Sequence, residues 1–381
     1  MSLRFSHRSL SQQVLFGSGQ AAEHLAAEVA RLGAQRVMVI ASPRERRLAE
    51  RVCARIDVTV WHDGVAEHVP VHVAERGRAV AAERAADLLV SVGGGSTTGL
   101  AKAVALTTGL PIVAVPTTYA GSEATNVWGM TEDATKTTGV DDRVLPGTVI
   151  YDAELTLSLP VPLSVASGLN GLAHCVDSMW APRADPINRA LAAEGIRALA
   201  TGLPRVITDP AGLPGREHAL YGAYLAAVAF ASAGSGLHHK ICHVLGGTFD
   251  LPHAETHATV LPYVLAYNAP FAPGAAARIA QALGRPADPD EPRAAAEAAV
   301  AGLSELRARL GAPTALRDYG LAAEDIPDAV ARVLRAAPPS NPRPVSEENL
   351  TALLTAAWSG ATPSVDPDIP AAPLVPATEA R

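Results

Sequence analysis

Five of the chain's twelve histidines fall between His238 and His257, in the stretch HHKICHVLGGTFDLPHAETH. His239 and His243 stand four apart, which puts them on one face of a helix. His253 follows a Gly-Gly pair and a proline, so a turn there returns it toward the other two. The preceding segment, 221–234, is almost wholly apolar and reads as a buried helix. Imidazoles at the end of such a helix bind a metal, move protons or orient a polar substrate. A second pair, Asn170 and His174 in SGLNGLAHCVD, has the same spacing on another apolar segment. Alone, His174 reads as a satisfied core histidine. The matched spacing of the two pairs, with His253, favours a shared cleft where three neutral imidazoles suit zinc or iron. Glu255 and His257 read either as groups that orient the others or as polar turn residues. His238 adjoins His239, points elsewhere on the helix and reads as a surface residue.

A second stretch carries a different chemistry. GGGSTTGLAK begins at Gly93 directly after the apolar run 88–92 and leads into a helical pattern over 99–108. Glycines at a strand end let backbone approach a ligand closely, and the following helix turns its free N–H groups toward that point. This predicts a diphosphate site at Gly93, Gly94, Gly95, Ser96 and Thr97; an ordinary tight turn is the plain alternative. One strand later PTTYAGSE offers Thr117 and Thr118 to a ribose or nicotinamide, or simply forms a turn. The first apolar run of the alternating pattern ends in Ser42-Pro43-Arg44, with Ser42 at the site and no acid at its tip. An acid there would bind a ribose 2′-hydroxyl and repel a 2′-phosphate. Without one, and with Arg44 and Arg46 close by, NADPH stands open beside NADH, although both arginines also suit a solvated helix start.

The elements that must position these groups follow from hydrophobic periodicity. Helical patterns at 20–32, 44–56, 71–86 and 99–108 alternate with short apolar runs at 37–42, 58–61, 88–92 and 112–115. Continuous apolar runs between helices signal a parallel sheet covered on both faces. This predicts an α/β Rossmann-like domain over 1–160. From 161 to 360 the pattern is helical, at 164–179, 186–201, 216–233, 275–283, 291–310, 326–336 and 346–359, predicting an all-α domain. The Pro- and Ala-rich 361–381 reads as a flexible tail.

The 381 residues exceed a single core, with 48% apolar and 18% charged residues and a net charge of −7. That balance argues against nucleic-acid or membrane-surface partners. No apolar stretch reaches the roughly 20 residues needed to span a bilayer, and the N-terminus lacks the pattern of a signal peptide. Three scattered cysteines suit a reducing cytoplasm.

Taken together, GGGSTTGLAK, PTTYAGSEAT, KTTGVDDRVLP with TVIYD, SGLNGLAHCVD and GLHHKICHVLGGTFDLPHAETHA make the chain resemble the iron-containing alcohol dehydrogenases of the dehydroquinate synthase-like superfamily, and maleylacetate reductases most closely. The resemblance covers about 16–360. It implies reduction of maleylacetate to 3-oxoadipate by NADH or NADPH in aromatic-compound degradation, by a homodimer. The family's metal site of one Asp and three His falls on Asn170, His174, His239 and His253. His243 matches a further active-site histidine. Asn170 is the departure, since an amide oxygen is a weaker, neutral ligand; any iron or zinc would be weakly held, and maleylacetate reductases share this feature. The resemblance thus implies His243 and His253 as the groups that stabilise an enolate oxygen and return a proton, supported by His174 and His239. For a dicarboxylate substrate it points to Tyr119, Asn170, Lys240 and Lys136 as contacts, with Arg143 as a further cation. The rivals are a metal-dependent alcohol dehydrogenase, a lyase of the dehydroquinate synthase type, and a biosynthetic relative acting on another unsaturated acid.

Overall fold

A computed structural model describes residues 3–132 and 135–365, the side chains of 135 and 136 excepted. Its N-terminal region is a parallel sheet flanked by helices. In chain order these are β1 (Gln13–Phe16), α1 (Ala21–Leu32), β2 (Val37–Ile40), α2 (Arg46–Val52), β3 (Val58–His62), α3 (Val71–Glu83), β4 (Leu88–Gly93), α4 (Gly95–Thr108), β5 (Ile112–Pro116) and β8 (Thr148–Tyr151). Between β5 and β8 an antiparallel pair intervenes, β6 (Val127–Glu132) and β7 (Thr135–Val140). The sheet order is β1-β8-β5-β4-β2-β3. The apolar runs of β2 and β4 are buried on both faces because alternate residues serve different helices. Val37, Val39, Leu88 and Val90 pack with Leu25 of α1 and Val52 of α2. Met38, Ile40 and Leu89 pack with Ala74 of α3 and with Leu100 and Val104 of α4. The chain leaves β2 toward β3 and returns on the other side as β4. The β2–β4 crevice is therefore where the winding direction reverses, the usual ligand position in such sheets.

The remainder is helical: α5 (Val161–Ser178), α6 (Pro186–Thr208), α7 (Leu213–Ala233), α8 (Leu237–Phe249), α9 (His253–Asn268), α10 (Pro273–Ala282), α11 (Pro292–Leu310), α12 (Ile326–Ala336) and α13 (Glu347–Ser359). The α6–α7 seam is a close backbone contact made by Gly195, Gly202, Gly215 and Gly222. A Cβ on Gly202 would lie 2.7 Å from both Ala219 N and Gly215 O. One apolar cluster runs from Ala114, Val149 and Tyr151 of the sheet into α5, α6, α7, α9 and α11. Among the described residues no single helix is long and apolar enough to cross a membrane.

Several expectations need correction. β1, β6 and β7 do not follow from the hydrophobic pattern; β1 is short and at the sheet edge, and β6 and β7 lie outside the main sheet. α4 begins at Gly95 rather than at 99. Gly246 and Gly247 lie inside α8 and make no turn; the chain reverses instead at Asp250 (φ 54°) and Pro252, and α9 follows as a full helix. Of the expected tail, 366–381 lies outside the described residues. Its first residues are packed: Tyr263 Oη donates to Ala361 O at 2.8 Å, and Val365 lies against the helical core.

Candidate active site

β4 delivers Gly93 to its C-terminal end with φ +154°, where a side chain would be strained. A Cβ there would also lie 2.4 Å from Thr97 Oγ1 and 2.5 Å from Glu45 Oε2. Gly94 caps α4 in an extended conformation. A Cβ on Gly94 would come within 3.1 Å of Thr118 Cγ2, and one on Gly95 within 3.4 Å of Ala120. The turn thus lies tight against the Thr117–Ala120 loop and leaves backbone, not side chain, at the mouth of α4. With the first-turn N–H groups of Gly95, Ser96 and Thr97 at that helix end, it fits a dinucleotide diphosphate.

The tip of β2 is not without an acid. Ser42 opens a turn in which the Glu45 N–H donates to Ser42 O at 2.9 Å, returning Glu45 over the strand end. Its carboxylate accepts from Thr117 Oγ1 at 2.6 Å and from Ser42 Oγ at 3.1 Å. The sequence signal for it is the Ser-Pro pair, which favours a turn and so carries the next residues back. Nearby, Arg46 lies over the Trp61 ring at 3.9 Å and pairs with Glu50 at 2.8 Å.

Lys102, about two turns into α4, is fully buried. Its ammonium donates to the carbonyls of Ser122 (2.5 Å), Thr125 (2.8 Å) and Val127 (2.9 Å), fixing the loop that carries Thr117 and Thr118. Burial pushes its pKa down to about 7, with Glu123 acting in the opposite direction. Glu123 in turn accepts from Tyr151 Oη at 2.7 Å. Tyr119 is fully buried in the apolar cluster with its hydroxyl 3.5 Å from Arg216 Nη1. That corrects its reading as a substrate contact, because the phenol is turned into the core.

The histidines converge where α5, α8 and α9 meet. His174 and His239 stack with centroids 4.9 Å apart, and Phe230 of α7 lies 4.7 and 4.3 Å from the two rings. His257 lies 4.9 Å from His239 and 4.4 Å from His253. His243 is more remote, 6.1 Å from His239. His243 and His253 are exposed, whereas His239 and His257 are buried. His239 is tied to Asp177, a fully buried carboxylate that sequence reasoning misses although it closes the SGLNGLAHCVD motif. Asp177 Oδ2 accepts from Gly236 N at 2.9 Å and lies 2.7 Å from His239 Nδ1. A carboxylate already accepting a backbone N–H sets the ring as donor through Nδ1, which leaves the unpartnered Nε2 its lone pair. Burial pushes the Asp177 pKa up, opposed by His238 and by these N–H groups.

His238 is not a surface residue; it is fully buried, with Nε2 2.9 Å from His257 Nδ1 and 3.6 Å from Cys242 Sγ. α8 turns it inward because three elements enclose that helix rather than one. Burial lowers the pKa of His174 to about 3, with His253 and His243 adding to the effect. It also drives His238, His239 and His257 well below the usual imidazole value. These four rings of the centre are held neutral.

Asn170 is buried with Oδ1 unpartnered. Together with His174, His239 and His253 it does not fit a firmly held divalent ion. The set has no carboxylate of its own to offset an ion's charge, and Asp177, which touches it, is already committed to His239 Nδ1. Among the described residues the side chains whose ligand atoms all lie within 4.8 Å of one another are His238, Cys242 and His257, where a mutual hydrogen bond already occupies the facing nitrogens of the two rings. Lys240 is partly exposed on α8. Lys136 lies on β7, with its side chain outside the described residues. Arg143 is exposed and pairs with Asp141 at 2.7 Å.

Residues 11–153 match the family model described as iron-containing alcohol dehydrogenase, and 164–358 the model of that family's C-terminal region. A maleylacetate reductase of Pseudomonas sp. is 45% identical over 95% of this chain and 99% of its own. A maleylacetate reductase of Sphingobium indicum is 44% identical, again over 95% and 99%. Among solved structures, an iron-containing alcohol dehydrogenase from Corynebacterium glutamicum is 61% identical with TM-score 0.92, over 96% of this chain and 99% of that one. The maleylacetate reductase of Agrobacterium tumefaciens is 40% identical with TM-score 0.88, over 95% and 100%.

Proposed function

The chain belongs to the iron-containing alcohol dehydrogenase family, and from that premise we propose that it reduces maleylacetate to 3-oxoadipate with NADH or NADPH. The observation that carries this reading is Asn170, a buried amide whose unpartnered Oδ1 brings no charge to anchor a divalent ion. Oxidation of an unconjugated alcohol calls for a strong Lewis acid on the alkoxide. Reduction of an enone does not, because charge collects on an enolate oxygen that hydrogen bonds can stabilise.

When bound across Gly93–Thr97 and Thr117–Thr118, the reduced nicotinamide supplies a hydride to the carbon β to the ketone. His243 and His253, the exposed rings of the cluster, hydrogen-bond the resulting enolate oxygen and return a proton to the adjacent carbon, which balances the reduction. Asp177 holds His239 in the tautomer whose Nε2 faces the cluster, and Phe230 packs against His239 and His174. Lys240 and Lys136 are the cations offered to the two substrate carboxylates. The enzyme works as a cytoplasmic homodimer, consistent with the chain's composition and the commonest oligomer symmetry.

The test is the loss of NADH absorbance with maleylacetate on chelator-treated enzyme, with and without added metal. Rapid loss without metal is expected. Loss only with added iron or zinc would restore a metal role to Asn170, His174, His239 and His253. No loss in either case would move the activity to another unsaturated acid or to a lyase.

A further inference from the structure

We infer that Glu45 is the residue that makes this enzyme select NADH over NADPH; this rests on the dinucleotide reading of the glycine turn. Three observations place it. Glu45 lies at the mouth of the β2–β4 crevice, where the winding of the sheet reverses and where such sheets hold the adenosine half of a dinucleotide. Its carboxylate is fixed from both neighbouring strand ends, by Ser42 Oγ after β2 and Thr117 Oγ1 after β5. Its Oε2 also stands only 2.5 Å from where a Gly93 Cβ would be, so it borders the diphosphate turn itself.

A carboxylate can only accept hydrogen bonds. Each oxygen here takes one hydroxyl and keeps a second lone pair, so a ribose 2′-hydroxyl can donate to it. A 2′-phosphate cannot, and it adds a dianion beside a fixed negative charge. Arg46 is occupied, since it stacks on Trp61 and pairs with Glu50. It therefore does not decide the choice; the acid three residues beyond Ser42 does. Two like charges about 4 Å apart at a protein surface cost enough to change affinity by roughly tenfold or more.

The experiment is equilibrium binding of NADH and of NADPH, read from nicotinamide fluorescence without substrate, on the unmodified enzyme and on Glu45→Gln. The expected result is NADH bound at least about tenfold more tightly, with Glu45→Gln narrowing the ratio mainly by improving NADPH. Glutamine keeps the side-chain length and can still accept from one hydroxyl, so the turn stands. Equal affinities, or tighter NADPH binding, in the unmodified enzyme would overturn the assignment without any variant, and would pass the choice to Arg44. An unchanged ratio in Glu45→Gln would overturn it as well. Failure of maleylacetate turnover would sink the proposed reaction yet leave this binding ratio to be judged separately.

Discussion

In the proposed reaction, single side chains divide the imidazole cluster into working and supporting groups. His243 and His253 are the exposed members, so His243→Ala and His253→Ala should each lower kcat by about 10²-fold or more while NADH affinity stays within a few-fold. Near-normal turnover in either variant would remove its proton-transfer role. Asp177→Asn is a different test. It keeps the shape but replaces the acceptor of His239 Nδ1 and of Gly236 N, so kcat should fall on the order of tenfold or more. The thermal midpoint should fall too, because buried donors lose their carboxylate. A melt change with kcat intact would make Asp177 a fold residue only. The sequence exposes His174, His239, His243 and His253 through their spacing. It conceals His238 and Asp177, because burial of both comes from neighbours far along the chain: Asp177 reaches Gly236 and His239, and His238 reaches His257.

At the scale of elements, the strands and helices that follow from local hydrophobic pattern are legible: β2, β4, β5 and most C-terminal helices stand where periodicity puts them. What periodicity does not give are elements defined by contact. β1 exists because it pairs with β8, and the glycines inside α6 and α7 are a seam only when the two helices are seen together. The seam makes a prediction opposite to helix propensity. Alanine at an exposed helical glycine gains about 1 kcal/mol, but a methyl at Gly202 must push apart a pair of backbones now in contact. Gly202→Ala should therefore lose about 1–3 kcal/mol, read from urea midpoints. Stabilisation would show that the helices can separate freely. The α4 cap behaves differently. In Gly94→Val the added methyls crowd Thr118 and the mouth of α4, so NADH affinity should fall about tenfold or more while the fold stands. Unchanged affinity would remove the diphosphate assignment.

For the whole molecule, the buried neutral rings set how stability depends on pH. His174 is held down to about 3, and His238, His239 and His257 well below the ordinary imidazole value. In the unfolded chain each takes up a proton near pH 6.5. The folded state refuses these protons, so between pH 6.5 and the depressed folded values the unfolded state binds more of them and stability falls as pH falls. Each ring contributes up to about 1.4 kcal/mol per pH unit across that window. Asp177 and Glu123 act the other way, since their raised pKa values let the folded state bind protons that the unfolded chain does not at the same pH. They are two groups against four rings, and the imidazoles dominate between pH 6.5 and 5. Their sum reaches the scale of the net stability of a whole domain, roughly 5–15 kcal/mol. The urea midpoint should therefore drop steeply as the pH falls from 6.5 to 5. The double variant His238→Asn, His257→Asn should flatten that drop, because two of the four groups no longer titrate in the unfolded chain. A midpoint that stays level down to pH 5 would mean that the rings are reached by water and protonate in the folded protein, and the neutral centre on which the metal-independent reaction depends would have to be given up.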